Sequence, residues 1–294
     1  MSDKISIRFF DHREVRAIWD DVQSKWWYSI VDVIAILTES PSARKYWSVM
    51  KLRLKKEGNQ LTTKCSQLKL MSADGKKYAT DCFSQDDIIE VIKLIPGKKS
   101  IAFLDWFTYS DNSIDGQSKL KAYALFESSM IEGIEVGTVQ WLQQIHAYLF
   151  GWLYDFAGQI RHKNISKWGF QFALAQYLEG TLRDIEKMPE DTLDAIVDKY
   201  IEMNVAHPFM EGNWRSARIW LDLILKNRLK KCVDWSKITK HDYMNAMIAS
   251  PTDRTQIARL ISHALTDDIH SREMFMKWID YSYYYEEEDI TITP

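Results

Sequence analysis

Apolar positions fall in short alternating runs over roughly the first hundred residues, then take up helical spacing over most of the remaining chain. Ile5–Phe10, Val15–Trp19 and Trp26–Ile30 are rich in aromatic and β-branched residues, a composition that predicts strands. From Asp32 to Leu37 the pattern turns helical, and Ser40-Pro41-Ser42-Ala43 reads as the capped start of another helix. Leu68–Met71 and Tyr78–Thr80 flank Asp74-Gly75, which predicts a hairpin. Ser84–Ile95 is amphipathic, opened by a serine cap and closed by Pro96-Gly97. Residues 1–107 therefore read as an α+β domain.

Residues 108–118 are polar and rich in turn formers, as in a linker. Beyond them, Val139–Trp152, Phe170–Lys187, Asp191–Asn204, Ser216–Lys230, His241–Ala249 and Thr255–Thr266 carry helical spacing. Gln159–Phe172, broken by Asn164, Ser166 and Gly169, reads instead as a hairpin. The pattern predicts two domains, an N-terminal α+β domain and, over residues 119–294, an all-α helical bundle with one β-hairpin.

A length of 294 residues suits two domains, and 46% hydrophobic with 27% charged residues excludes a disordered chain. No apolar run approaches the roughly 18 residues that would span a bilayer, and Met1–Ser6 lacks a signal-peptide core, so a cytoplasmic protein without a membrane anchor is expected. Cys65, Cys82 and Cys232 are scattered, with neither disulfide nor zinc-ligand spacing. The net charge of −3 divides unevenly: residues 1–110 carry +4 and the remainder −7. Residues 44–77 alone carry +8, a surface that would attract the phosphates of DNA, although a solvated helix face fits the charge equally well.

The chemistry concentrates in His207-Pro-Phe-Met-Glu-Gly-Asn-Trp-Arg-Ser-Ala-Arg218. Gly212-Asn213 stands where a loop passes into a helix, whose free N–H groups bind anions. Arg215 and Arg218 share a helix face and can clamp phosphate oxygens. Glu211 can hold a magnesium ion between phosphates, and His207 has the ordinary pKa of a general base. A half-buried histidine and two surface arginines on an ordinary helix remain the structural alternative.

This stretch resembles the Fic-domain signature His-x-Phe-x-(Asp/Glu)-Gly-Asn-x-Arg-x-x-Arg, with every fixed position filled. The resemblance extends from about Leu125 to Glu287 through Ile134–Thr138, Gln143–His146, Tyr154–Ile160, Asn164–Ser166 and Asp222–Lys226. It implies a short bacterial Fic protein with a C-terminal inhibitory helix, transferring AMP from ATP to a Tyr, Thr or Ser hydroxyl of a target protein. His207 would be the base, and Asn213 with the amides around Gly212 would hold the α-phosphate. Glu211 would hold magnesium, and Arg215 and Arg218 the outer phosphates. The hairpin, with Asn164, Ile165, Ser166 and Lys167, would be a flap that docks the target by strand addition. Ser282-Tyr-Tyr-Tyr-Glu286 resembles the family's inhibitory motif, so Glu286 would pair with Arg218 in the place of the γ-phosphate. Ser128-Ser-Met-Ile-Glu132-Gly133 is a rival match that would make the inhibitory helix N-terminal.

Trp214, within the nucleotide-binding set, stands where most relatives have Gly, and Trp168 where they have a small residue. Glu287 also departs from the Gly or Asn that usually follows the inhibitory Glu. Residues 10–19, 26–34 and 44–56 resemble the Bro-N domain of phage antirepressors, which implies DNA binding in agreement with the basic stretch. Trp26, Trp27 and Trp47 read as core residues. The expectation is an autoinhibited protein adenylyltransferase, and the alternative a DNA-binding regulator whose Fic domain senses nucleotide or is impaired by Trp214. Some Fic relatives self-assemble, which leaves a homo-oligomer open.

Overall fold

The computed structural model describes residues 4–20, 22–23, 25–72, 74–109, 113–128, 131, 135–167 and 170–285. The chain separates into two compact units, one within Met1–Ser113 and one within Ile114–Glu287.

The first unit opens with β1 (Lys4–Phe10), β2 (Arg13–Asp20) and β3 (Lys25–Ser29), continues with α1 (Ile30–Thr38), α2 (Ala43–Lys56), β4 (Ser66–Met71) and β5 (Lys77–Ser84), and closes with α3 (Gln85–Lys93) and α4 (Lys98–Tyr109). All five strands form one antiparallel sheet in the order β1-β2-β3-β5-β4. The β4–β5 turn is the one Asp74-Gly75 predicts: Gly75 takes a φ of 76° that a residue with a Cβ resists, and Asp74 accepts from the Lys76 N–H at 3.0 Å. Ser29 leaves β3 and caps α1 by accepting from the Asp32 N–H, so strand and helix join with no loop. Asp32 in turn takes a bidentate pair from Arg16, at 2.7 Å on each oxygen.

The core of this unit joins aliphatic side chains of α1 and α3 to an aromatic cluster. Phe103 and Phe107 of α4 stack at 5.8 Å, and Tyr28 and Phe10 meet them edge-on. Trp27 and Trp47 are buried as expected, and Trp26 is half-buried against Trp19. Helix α4 carries no sequence expectation, because its apolar positions lie between Gly97 and the polar stretch at 108–118.

The second unit comprises α5 (Ile114–Glu127), α6 (Val139–Phe150), β6 (Ser166–Lys167), β7 (Phe170–Gln171), α7 (Ala175–Glu186), α8 (Leu193–Ala206), α9 (Asn213–Leu229), β8 (Cys232–Val233), α10 (Lys240–Ala249), α11 (Thr255–Ala264), β9 (Leu265–Thr266) and α12 (Arg272–Tyr284). Helix α9 is the axis of the bundle: Asn213 and every residue from Arg215 to Leu225 are buried. Helices α6 and α8 pack on it, and α12 packs on α5.

Three details differ from the sequence expectation. Helices reach into the expected linker from both sides, α4 ending at Tyr109 and α5 starting at Ile114, so the turn-forming composition there did not prevent helix. The hairpin strands are only two residues each. The bundle is also not wholly helical, since Cys232 and Val233 pair with Thr266 and Leu265. That ladder is too short for its period to be read in a sequence.

Candidate active site

Helix α8 ends at His207, which caps it in a left-handed conformation (φ 50°). That conformation costs a non-glycine residue on the order of 1 kcal/mol, so neighbours must hold it. The His207 N–H donates to Met203 O at 3.0 Å, and the ring stacks on Phe172 with centroids 3.8 Å apart. Ring Nδ1 lies 3.3 Å from Asn204 O, an acceptor, so in the neutral ring Nδ1 carries the proton and Nε2 the lone pair.

The loop from Pro208 to Gly212 is closed by one side chain. Asn213 Oδ1 accepts from the Phe209 N–H and its Nδ2 donates to Phe209 O, both at 2.8 Å. Both polar atoms of Asn213 are thereby engaged in shaping the loop. Gly212 follows at φ 77°, where a Cβ would lie 2.5 Å from the Phe150 ring, so this position requires glycine. Gly212 has no side chain with which to cap α9, so the positive end of the helix dipole lies at the loop.

A second histidine supports the loop from beneath. His146 of α6 is fully buried; its Nδ1 accepts from the Gly158 N–H and its Nε2 therefore donates to Glu211 O, each at 2.8 Å. Its ring stacks on Phe209 at 3.9 Å. Burial, with a smaller contribution from the nearby Arg215 charge, lowers its pKa to about 4, so the imidazole is neutral. In the sequence His146 stands only within a resembling segment, with nothing to give it a role.

The two arginines are already engaged. Arg215 Nη1 pairs with Asp115 at the start of α5, and its Nη2 lies 3.8 Å from Glu211 Oε1. The guanidinium lies over the rings of Phe150 and Tyr283, at 4.9 and 5.5 Å. Arg218 is fully buried; its Nε donates to Ser282 Oγ at 2.7 Å and its Nη2 to Ser282 O. Tyr243 and Tyr285 flank it at 5.4 and 5.6 Å. Tyr285 fixes that wall by donating to Trp235 O and Ile238 O. Ser282 thus lies against Arg218, the arginine expected to pair with Glu286, while Glu286 itself, Glu287 and the rival Glu132 lie outside the described residues.

Glu211 is 45% exposed and accepts from the Gly212 N–H at 3.2 Å. Among the described residues no three His, Cys, Asp or Glu side chains cluster as metal ligands. A single carboxylate beside the loop still fits magnesium, which commonly takes one or two protein carboxylates plus phosphate oxygens. Trp214 is half-buried, edge-on to Tyr243 at 6.4 Å.

The flap residues have distinct tasks. Asn164 Oδ1 accepts from the Ala175 N–H at the start of α7, Ile165 O accepts from the Phe172 N–H, and Ser166 and Lys167 pair with Gln171 and Phe170. Trp168 and the Lys167 side chain lie outside the described part. A cavity of about 700 Å³ lies elsewhere, walled by Glu135–Thr138, Glu186, Glu190 and Arg228, and touches none of residues 207–218.

The model of the Fic/DOC family matches residues 137–225, which hold α6, the hairpin, the motif loop and most of α9. These residues form a Fic/DOC domain. Among solved structures, the Fic domain is similar to BepC, a VirB-translocated effector protein of Bartonella tribocorum with bound AMPPNP, at 18% identity over 52% of this chain and 84% of that one (TM-score 0.46). It is similar also to the N-terminal Fic domain of a Bep effector from Bartonella sp. AR 15-3, at 16% identity over 55% and 84% (TM-score 0.48). Fic-1 of C. elegans matches at 19% identity over 67% and 58% (TM-score 0.42). Among the described residues, no helix is long and apolar enough to cross a membrane.

Proposed function

We propose that the Fic domain transfers AMP from ATP to a Tyr, Thr or Ser hydroxyl of a target protein, and that α12 restrains it. The observation that carries this reading is the motif loop: a base, a helix N-terminus that opens on glycine and two arginines fall within twelve residues. His207 Nε2 takes the hydroxyl proton, the hydroxyl oxygen attacks the α-phosphorus, and pyrophosphate leaves with the electron pair of the broken P–O bond. The amides of the first α9 turn hold the α-phosphate. Asn213 acts one step back, by holding Phe209 and so the shape of the loop. Arg215 and Arg218 neutralise the outer phosphates, and Glu211 holds magnesium, which when bound spreads their remaining charge.

Restraint follows from burial, since a phosphate cannot reach Arg218 while Ser282 and the two tyrosines enclose it. Glu286 extends the same contact in this reading. The N-terminal unit is a Bro-N-like DNA-binding module in this reading, supported by exposed Arg44, Lys45, Lys55, Lys56, Lys69 and Lys76.

The test is transfer of label from α-labelled ATP with magnesium to proteins of a cell lysate. Glu286→Gly should raise labelling above the wild-type level. His207→Ala in that background should lower it by about 10²–10⁴-fold while ATP binding stays within a few-fold. Labelling that survives loss of His207 would remove the assigned base.

A further inference from the structure

Arg161 is a basic residue that the transfer chemistry leaves unused, and it is only 3% exposed. It stands immediately after the Tyr154–Ile160 segment, at the start of the flap. Its Nε donates to His207 O at 2.7 Å, and its Nη2 to Ala206 O at 3.0 Å and Ala173 O at 2.5 Å. Its Nη1 donates to Lys163 O at 2.7 Å, and its own N–H to Pro208 O at 2.9 Å.

Every one of these acceptors is a main-chain carbonyl. A buried guanidinium supported by carbonyls alone is costly, and burial does lower its pKa. Part of that cost is offset by position, because the side chain lies at the C-terminus of α8, where the helix dipole favours a cation. An apolar residue would spare the charge but leave several buried carbonyls without donors. What the guanidinium adds is a fixed distance. It fastens Ala206 and His207, the end of the helix that carries the base, to Lys163 and Ala173, the two feet of the hairpin. Phe172, between those feet, is the ring on which the imidazole stacks.

We infer that Arg161 is a positioning residue that sets the flap against His207, and so fixes where an acceptor hydroxyl docked on the flap meets the base. The inference rests on the transfer reading above. A displacement of about 1 Å between reacting groups can cost 10²-fold, so a positioning role on this scale is large. A lysine at this position keeps the charge but has one nitrogen for carbonyls that Arg161 reaches with three.

The experiment uses the full chain with Glu286→Gly, alone and combined with Arg161→Lys or Arg161→Gln. ATP with magnesium is titrated calorimetrically, so that stoichiometry counts folded sites, and AMP transfer to lysate protein is expressed per ATP site. Transfer per site should fall by about 30–100-fold, with ATP affinity held within about threefold. Amide exchange at Ala173, whose N–H donates to Val205 O at 3.2 Å, should accelerate, and the His207 ring resonances should move, while α9 amides stay protected. Unchanged transfer per site, with unmoved His207 resonances, would reduce Arg161 to a stabilising residue. If the parent binds ATP yet transfers nothing, the activity reading fails alone, and the exchange and ring signals still decide the inference. If Arg161→Gln does not fold, Arg161→Lys decides.

Discussion

At the scale of single residues, two side chains that no motif names adjust the site. Asp115 pairs with Arg215, so a carboxylate already lies on a guanidinium assigned to phosphate. Asp115→Asn removes that competitor, and ATP with magnesium should bind several-fold more tightly by calorimetry. An unchanged affinity would mean that Asp115 swings aside at no cost. His146 gives a pH dependence with a definite sign. Its folded pKa of about 4 lies below its ordinary 6.5, so the unfolded chain binds the proton first as pH falls. Its contribution is intact above pH 6.5 and is lost progressively towards pH 4, in total about 3 kcal/mol for this fully buried ring. Urea midpoints from pH 7 to 4.5 should therefore fall more steeply for the wild type than for His146→Gln. Parallel slopes would show that the ring titrates normally.

Among the elements, α12 bears the most on the proposed activity. Its Asp280 is fully buried, takes Lys119 Nζ at 2.6 Å and is bonded by Tyr123 of α5. Removing one partner of a buried pair typically costs about 3–5 kcal/mol, so Asp280→Ala should lower the melting temperature and loosen the helix that covers Arg218. AMP transfer should rise at temperatures where the variant remains folded; a drop in both stability and transfer would place α12 in the active fold itself. Motif residues 207–218 were readable in the sequence because loop and helix are local, and Gly212, Arg215 and Arg218 sit where their spacing puts them. What supports them was not. Arg161, His146 and Asp115 reach the motif from 46, 65 and 100 residues away, and no local period records such contacts. The β3–β5 pairing and the β8–β9 ladder were hidden for the same reason. Asn213 shows the converse limit: its place was clear, but its amide turns inward to Phe209.

For the whole molecule, the charge asymmetry becomes a more selective statement once partners are known. Lys51 is taken by Asp81, Lys64 by Asp87, and Arg53 lies 3.9 Å from Glu57, so at least three of the ten cations in 44–77 are partly spent. Lys55, Lys56, Lys69 and Lys76 are exposed. Exchanging these four for Gln in the full chain should weaken duplex DNA binding and flatten its salt dependence, by about one unit of slope for each phosphate that is no longer neutralised. Binding that is absent, or indifferent to salt, would turn this unit towards a protein partner. The enclosure of Arg218 bears on which nucleotide the resting protein prefers. With that cation sealed beneath α12, a third phosphate loses one of the counter-charges proposed for it, and the resting site should favour ATP over ADP less than a site in which Arg218 is uncovered. On the proposed reading, a protein whose α12 has been drawn away should tell a well-charged adenylate pool from a depleted one more sharply than the resting protein does.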